Sequence, residues 1–257
     1  MRGKNRDRNG VNIFRFRAVA LGAKLAELLA FPSVCRRCGG LLEKPGQRIL
    51  CPECLAALAA CRAPYCPSCG RFFDGDGSPH PCGACLRRTP ALSAVRAAAR
   101  YDGAVKDVLL LFKYKGLRPL GRPLAVFLHA ALEADNPPWR KADFLVPVPL
   151  HRRRRRERGF NQAEVLAEAL SRLTDIPVAS RVLLKTAPLR PQTSLRAEAR
   201  RVNIRGAYRV ARPDAVKGKV VVLVDDVCTT GSTLGECARV LRRAGAADVR
   251  GVTVARA

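Results

Sequence analysis

Two adjacent carboxylates, Asp225 and Asp226, follow an uninterrupted run of valine and leucine at 220–224. A short segment of hydroxyl residues with one glycine comes next, before a helix-forming stretch. Its candidate ligand-binding residues are Thr229, Thr230, Gly231, Ser232 and Thr233. This order of residue types predicts a buried parallel strand, a tight loop and a helix N-terminus. Free N–H groups at a helix N-terminus bind phosphate, and paired acids suit sugar hydroxyls or Mg²⁺. The segment therefore predicts a site for a phosphorylated ribose.

Eight of the eleven cysteines form two repeats with the same spacing, C-x2-C-x12-C-x2-C. The candidate metal ligands are Cys35, Cys38, Cys51 and Cys54 in the first repeat, and Cys66, Cys69, Cys82 and Cys85 in the second. Four thiolates complete a tetrahedral Zn²⁺ site and leave no open position, so we predict two structural zinc ions. Sequential pairing, with one ion per repeat, is preferred. A cross-braced scheme, in which Cys35 and Cys38 share an ion with Cys66 and Cys69, also fits the spacing.

Two basic segments offer further contacts to an anionic ligand. Lys113, in the sequence Phe-Lys-Tyr-Lys-Gly at 112–116, either reaches the ligand or complements the dipole at a helix end. Five consecutive arginines at 152–156 precede Arg158 and Asn161. Arginine forks suit pyrophosphate, so we assign Arg158 and Asn161 to ligand binding or to fixing their loop. The five arginines exceed what one pyrophosphate needs, and they indicate either nucleic-acid contact or a solvated surface.

The segment around the acid pair resembles the signature of type I phosphoribosyltransferases, which bind 5-phosphoribosyl-1-pyrophosphate (PRPP). The cysteine repeats, the sequence Pro-Val-Pro-Leu-His at 147–151 and Arg-Gly-Phe-Asn-Gln at 158–162 narrow this resemblance to the ComF family. That family comprises ComFC- and GntX-like proteins linked to natural competence, transformation and DNA uptake. The resemblance implies that Asp225 and Asp226 hold the ribose hydroxyls of PRPP and its Mg²⁺. Purine-salvage members of the fold carry an acid where Thr229 stands, which argues against purine salvage.

The elements that position these residues alternate between strand and helix from about residue 91, which predicts an α/β fold. The fold class is a parallel sheet of the type I phosphoribosyltransferase kind, preceded by a small double zinc ribbon. We expect strands at 93–101, 143–148, 182–185, 207–210, 220–225 and 249–254, and a long basic loop at 186–205. This loop either closes over the ligand or is a basic linker. The predicted regions are a basic tail with an amphipathic helix (1–31), the double zinc ribbon (32–90) and the phosphoribosyltransferase-like domain (91–257).

Composition limits the partners and the compartment. The net charge of +26, from 47 Lys and Arg against 21 Asp and Glu, favours nucleic acid, acidic membrane or phosphorylated ligands, although a generic arginine-rich surface accounts for it equally well. Clustered CxxC pairs favour metal over disulfides and hence a reducing, cytoplasmic compartment. No apolar run reaches 18 residues, so we expect no transmembrane segment. Lys24 and Glu27 interrupt the apolar stretch 18–31, which argues against a signal peptide.

Together these features predict a PRPP-binding protein, with phosphoribosyl transfer as the preferred activity, acting in competence and DNA uptake or in related nucleotide metabolism. The alternative is a non-catalytic zinc-ribbon module that binds single-stranded nucleic acid or competence proteins. For the metal, we expect chelation to unfold residues 32–90 with little effect on the C-terminal sheet.

Overall fold

The structure, a computed structural model, describes residues 33–42, 49–87, 89–133, 137–186 and 204–257. The tail and amphipathic helix predicted for 1–31 lie outside the described residues, as does most of the loop predicted at 186–205. The chain divides into two compact units, 1–55 and 56–257. The second cysteine repeat therefore belongs to the same unit as the sheet. The predicted domain boundaries remain predictions.

The described residues contain six strands and seven α-helices. The strands are β1 (Ala94–Arg100), β2 (Phe144–Pro147), β3 (Leu183–Lys185), β4 (Tyr208–Val210), β5 (Val220–Cys228) and β6 (Asp248–Arg256). The helices are α1 (Pro52–Ala56), α2 (Gly83–Arg87), α3 (Gly103–Tyr114), α4 (Gly121–Glu133), α5 (Arg152–Arg158), α6 (Gln162–Thr174) and α7 (Ser232–Arg243). Within the described residues, no helix is long and apolar enough to cross a membrane.

A parallel four-stranded sheet with the order β1-β6-β5-β2 forms the core, and β3 and β4 form a separate antiparallel pair. The central strand β5 is apolar because it is covered on both faces: Val221, Val222, Leu223 and Val224 are all fully buried. Val221 and Leu223 pack in one cluster with Leu234 and other residues of α7. Since side chains alternate along a strand, Val222 and Val224 face the other side of the sheet. The predicted α/β parallel-sheet class is confirmed.

Strand β5 is longer than predicted. The residue pattern predicts an end at residue 225, but the parallel pairing of β5 with β6 continues as far as Cys228, opposite Arg256. The neighbouring strand β2 ends earlier, since its last residue pairs with Val224. The acid pair therefore lies inside a strand that projects beyond its neighbour β2, at the carboxyl edge of the sheet, where open α/β sheets bind ligands.

The arginine segment forms a helix that the residue pattern did not predict. Arg152–Arg158 forms helix α5, because His151 caps its first turn by accepting a hydrogen bond from the Arg153 N–H at 3.3 Å. Gly159, with φ of 78°, ends the helix in the left-handed conformation. The residues at 152–157 are exposed. The five arginines therefore form a basic helical surface immediately after β2.

The second cysteine repeat is built onto the edge strand β1. The Val95 N–H donates to the Pro67 carbonyl at 3.3 Å, and the Cys61 N–H donates to the Ala98 carbonyl at 2.9 Å. Gly70 has a φ of 69°, and a Cβ there would lie 2.8 Å from the Val95 carbonyl oxygen. Glycine at this position thus permits both the turn and the close approach of the repeat to the sheet.

Candidate functional site

The hydroxyl loop leads directly from β5 into α7. Gly231 is the N-cap of α7 with φ of 74° and ψ of 1°. The Thr230 and Ser232 hydroxyls lie 2.8 Å apart, and the Ser232 N–H donates to the Thr230 hydroxyl at 3.3 Å. Thr229 is exposed, and the following four residues to Thr233 are half-buried. The loop therefore gathers hydroxyls and the positive end of the helix dipole at one place, as a phosphate site requires.

The two acids project to opposite faces of β5, because they are consecutive residues of an extended strand. Asp225 lies on the face of Val221 and Leu223, towards α7, and Asp226 on the opposite face. The Asp226 N–H donates to the Asp225 carboxylate at 2.9 Å. Burial, followed by the nearby charge of Asp226, raises the pKa of Asp225 to about 7. The folded protein therefore holds the Asp225 proton more tightly than an exposed carboxylate would.

Lys113 supplies one cation to this pair. Its ammonium lies 3.1 Å from the Asp226 carboxylate, and both side chains are largely buried. Helix α3 holds the lysine in place through fully buried Val108, Leu109 and Phe112. Lys113 thus pairs with an acid of the candidate site and also lies in the last turn of α3, so contact with a ligand and a role at the helix dipole both stay predictions.

Two residues that sequence reasoning did not assign to the site face Asp225. Lys185 ends β3, and its ammonium lies 5.1 Å from the centre of the Tyr208 ring on β4. Burial, and then the charge of Arg154, lower the pKa of Lys185, while the charge of Asp225 opposes this shift. Burial raises the pKa of the Tyr208 hydroxyl, which also interacts with Thr233. The only feature of the sequence that could have assigned Lys185 to the site was its position as a single cation at the carboxyl end of a short predicted strand. That feature is weak evidence by itself.

Arg158 and Asn161 lie at the two ends of the turn between α5 and α6. Asn161, only 4% exposed, donates to the Val148 carbonyl at 3.0 Å and accepts from the Ala163 N–H at 3.1 Å. Both polar ends of the amide are thus used to fix the chain after β2. Arg158 donates to Gln162 at 3.2 Å, and its guanidinium lies 5.2 Å from the ring centre of Tyr114, the residue after Lys113. The structure shows no contact between either residue and the acid pair within the described part of the chain.

The eight repeat cysteines come together in two groups of four, one per repeat. Within each group all sulfur atoms lie within 4.8 Å of one another. The Cys38–Cys51 and Cys69–Cys82 sulfur distances are both 3.7 Å. A disulfide would need about 2.05 Å, whereas a tetrahedron of zinc–sulfur bonds of about 2.3 Å has sulfur–sulfur edges of about 3.8 Å. Both groups therefore fit structural zinc, and the thiols are grouped sequentially along the chain.

Comparison with known proteins agrees with this geometry. Residues 157–257 match the Phosphoribosyl transferase domain family. The fold and the loop at the end of β5 thus define a protein with a phosphoribosyltransferase-type domain. Among solved structures, a glutamine PRPP amidotransferase from B. subtilis, complexed with ADP and GMP, is 25% identical with a TM-score of 0.34, covering 55% of this chain and 26% of that one.

Three curated relatives extend the match to nearly the whole chain. Competence protein F of Haemophilus influenzae is 32% identical over 228 residues, covering 87% of this chain and 96% of that protein. DNA utilization protein YhgH of Escherichia coli strain K12 is 32% identical over 225 residues, with the same coverage. Competence protein ComFC of Bacillus subtilis strain 168 is 30% identical over 219 residues, covering 84% of this chain and 87% of that protein. The chain belongs to the ComF family.

Proposed function

We propose that this chain binds PRPP with Mg²⁺ at the carboxyl end of β5 and transfers the phosphoribosyl group to a nucleophile. The observation that carries the proposal is one continuous segment: two acids in the projecting part of β5, followed by a hydroxyl loop at the N-terminus of α7. Phosphate and sugar-hydroxyl binding need these groups next to each other. The names of the relatives support a role in competence and DNA uptake. Action in the cytoplasm and a role in related nucleotide metabolism are further parts of the proposal.

The 5-phosphate fits the hydroxyl loop. The N–H groups that follow Gly231 are the first of α7, and they have no partners within the helix. The Thr230 and Ser232 hydroxyls face each other at 2.8 Å and can both turn towards a phosphate. The sequence-predicted contacts Thr229 and Thr233 flank them. In this arrangement the groups that cap α7 would also donate hydrogen bonds to the 5-phosphate.

The ribose and Mg²⁺ fit the acid pair. Carboxylates are the hard oxygen donors that Mg²⁺ prefers. Because Asp225 and Asp226 project to opposite faces of β5, one of them would hold the ion while the other binds ribose hydroxyls. Burial and then the charge of Asp226 raise the pKa of Asp225, so a bound cation would favour its charged form. A bound Mg²⁺ would supply positive charge to the pyrophosphate group.

The pyrophosphate then has cations on two sides. Lys113 already contacts Asp226 at 3.1 Å, and Lys185 lies on the Asp225 side of the strand. Arg158, held above Tyr114, is the third candidate. In the reaction, the bond between ribose C1 and the pyrophosphate oxygen breaks as the nucleophile bonds to C1, and pyrophosphate leaves with the electron pair. These residues act by positioning and by stabilising charge on the leaving group.

Calorimetry with Mg-PRPP tests the binding step. The wild type should bind, and Asp225→Asn with Asp226→Asn should abolish binding. Asp143→Asn is the matched control, because Asp143 pairs with Lys219 at 3.0 Å and accepts from the first residue of β5 at 2.8 Å, at the opposite end of the sheet. Equal affinity in the double variant and the wild type would refute the site.

Pyrophosphate release tests the transfer step. Protein, Mg-PRPP and a panel of nucleobases are incubated, and free pyrophosphate is measured against protein without acceptor. Release that depends on an acceptor and is lost in the double variant supports a transferase. Binding without release for every acceptor would refute transfer and leave a PRPP-binding protein.

Helix α5 favours a second candidate function, the binding of single-stranded nucleic acid. Its arginines at 152–156 are exposed, and Arg152, Arg154 and Arg156 form no ion pair within the described residues. Replacing Arg152 and Arg156 by Gln should weaken binding of a labelled single-stranded oligonucleotide and reduce its salt dependence by about one unit of slope per lost phosphate contact. An unchanged slope would argue against this surface, and competence proteins would then be its remaining candidate partners.

A further inference from the structure

Arg256 carries a buried charge next to the hydroxyl loop. It is the last residue of β6 and is only 7% exposed. Its guanidinium donates to main-chain oxygens. One terminal nitrogen contacts the carbonyl oxygens of Cys228 at 2.9 Å and of Thr229, and a main-chain oxygen of Ala257 at 2.6 Å. The Nε–H reaches the Cys69 carbonyl at 3.3 Å. A buried arginine needs such acceptors, because an unsatisfied buried cation is costly.

These carbonyls belong to two different structures. Cys228 and Thr229 are the last residue of β5 and the first of the hydroxyl loop. Cys69 is the second cysteine of the Cys66–Cys85 metal group and lies in its first knuckle. A single side chain therefore joins the backbone of the metal module to the backbone that sets the loop.

The space beside this connection is a cavity of about 990 Å³. Ser68, Cys69 and Cys85 line it from the metal module, and Thr230 and Ser232 line it from the loop. Arg256 also lines this cavity. A shift of the Cys69 carbonyl would therefore move the Arg256 guanidinium, which contacts the start of the hydroxyl loop.

We propose that Arg256 is a positioning residue through which metal at the Cys66–Cys69–Cys82–Cys85 group holds the hydroxyl loop in its ligand-binding conformation. This inference deepens the proposed function and rests on it for the identity of the ligand. Without metal, four clustered thiols no longer fix the knuckle, and the Cys69 carbonyl leaves the guanidinium. The loop carbonyls then lose a fixed donor. The first metal group belongs to the other compact unit, and we expect no change in the loop when its metal is lost.

The structure thus changes the expectation for chelation. A module that unfolds alone would leave the sheet and its ligand site unaffected. Because Arg256 couples the second group to the loop, removal of that metal should also weaken phosphate binding. In metal sites, residues that hydrogen-bond to the ligands and orient them change metal affinity by about 10- to 100-fold. By analogy, we expect loss of the Arg256 contacts to weaken Mg-PRPP affinity by at least about 10-fold.

Two readouts on the full-length chain test the coupling. The first is hydrogen exchange of the backbone amides at 229–235, which needs no ligand. The second is Mg-PRPP affinity by calorimetry. Cys85→Ser, Arg256→Met and the double variant are compared with the wild type. Both single variants should raise exchange of the loop and weaken affinity by at least about 10-fold, and the double variant should add little to either.

Two control variants distinguish coupling from general damage. Arg250 lies on the same strand and also donates to carbonyls, those of Pro138 at 3.2 Å and Arg140 at 2.8 Å, so Arg250→Met should leave loop exchange unchanged. Cys38→Ser, in the first metal group, should do the same. If Arg256→Met fails to fold, Arg256→Lys replaces it. Lysine keeps the charge but cannot reach all the acceptors, so Arg256→Lys should also raise loop exchange and weaken affinity.

The outcomes separate this inference from the proposed function. If the wild type does not bind Mg-PRPP, the proposed function fails, while loop exchange still decides the coupling. If the wild type binds and the Arg256 and Cys85 variants bind equally well with unchanged loop exchange, the coupling is refuted and the proposed function stands. Additive effects in the double variant would also refute it, because the two residues would then act independently.

Discussion

The Lys113 ammonium lies 3.1 Å from the Asp226 carboxylate, which joins the last turn of α3 to the projecting end of β5. Both side chains are at most 15% exposed, so water screens the pair weakly. Asp225, on the other face of the strand, has Lys185 nearby. The site thus holds its two acids between two lysines that come from separate parts of the chain.

Replacing Lys113 by Met should destabilise the protein. The change leaves Asp226 buried without its cation, and breaking such a pair costs about 3 kcal/mol in the free energy of unfolding. Urea denaturation at pH 8 measures the loss. Lys106→Met, an exposed lysine on the same helix, should change stability by less than about 0.5 kcal/mol. Lys113→Met combined with Asp226→Asn should recover most of the loss. A Lys113 variant as stable as Lys106→Met would contradict this account.

The raised pKa of Asp225 makes stability depend on pH. Burial, and then the charge of Asp226, raise this pKa from 3.8 to about 7 in the folded state, so the folded chain binds a proton that the unfolded chain has already lost between these values. Stability contributed by this group is therefore fully present below about pH 4 and falls as the pH rises to about 7. Other groups titrate in the same range, so the comparison is with Asp225→Asn. The stability difference between variant and wild type should grow in favour of the variant from pH 4 to 7 and then level off. A pH-independent difference would contradict the raised pKa.

The hydrophobic pattern was sufficient to predict the parallel sheet, and the sequence repeat was sufficient to predict both cysteine groups. The largely β-branched run from Val220 to Val224 favoured a strand buried on both faces, and identical C-x2-C spacing predicted four thiols per ion. The contacts between distant segments could not be predicted in this way. Lys113 pairs with Asp226 across 113 positions of sequence. Arg256 contacts the backbone carbonyl of Cys69, and a backbone contact does not depend on which residue type supplies it, so the residue pattern cannot predict it.

Local capping and strand pairing explain the two elements that departed from expectation. The arginine run contains no apolar periodicity, so nothing in its pattern predicted helix α5; the helix depends on the His151 cap and the left-handed Gly159. The extension of β5 past Asp225 depends on β6, which pairs with it as far as Arg256. Acids have low strand propensity, and here the pairing partner overrides it.

Zinc content should follow the sequential grouping of the thiols. Native mass spectrometry of the wild type is expected to show two ions per chain. Cys38→Ser combined with Cys54→Ser should remove one ion, because both thiols belong to the first group. In a cross-braced scheme these cysteines would serve different ions, and the same double variant would lose both. The matched variant Cys69→Ser with Cys85→Ser should also retain one ion.

Two glycines near the start of α7 should respond to alanine with opposite signs. Gly231 has a φ of 74°, and a Cβ there would meet only the Cys228 sulfur at 3.8 Å, an ordinary contact. The cost of Gly231→Ala is therefore backbone strain of about 1–2 kcal/mol, and the N–H groups after it should bind phosphate less well. Gly235 lies inside α7, and a Cβ there would have no neighbouring atom within 4 Å, so Gly235→Ala should stabilise the helix by up to about 1 kcal/mol. Urea denaturation gives both stabilities, and calorimetry with Mg-PRPP gives the affinities. If Gly231→Ala proved as stable and as competent for binding as Gly235→Ala, the left-handed turn would not be what shapes the phosphate loop.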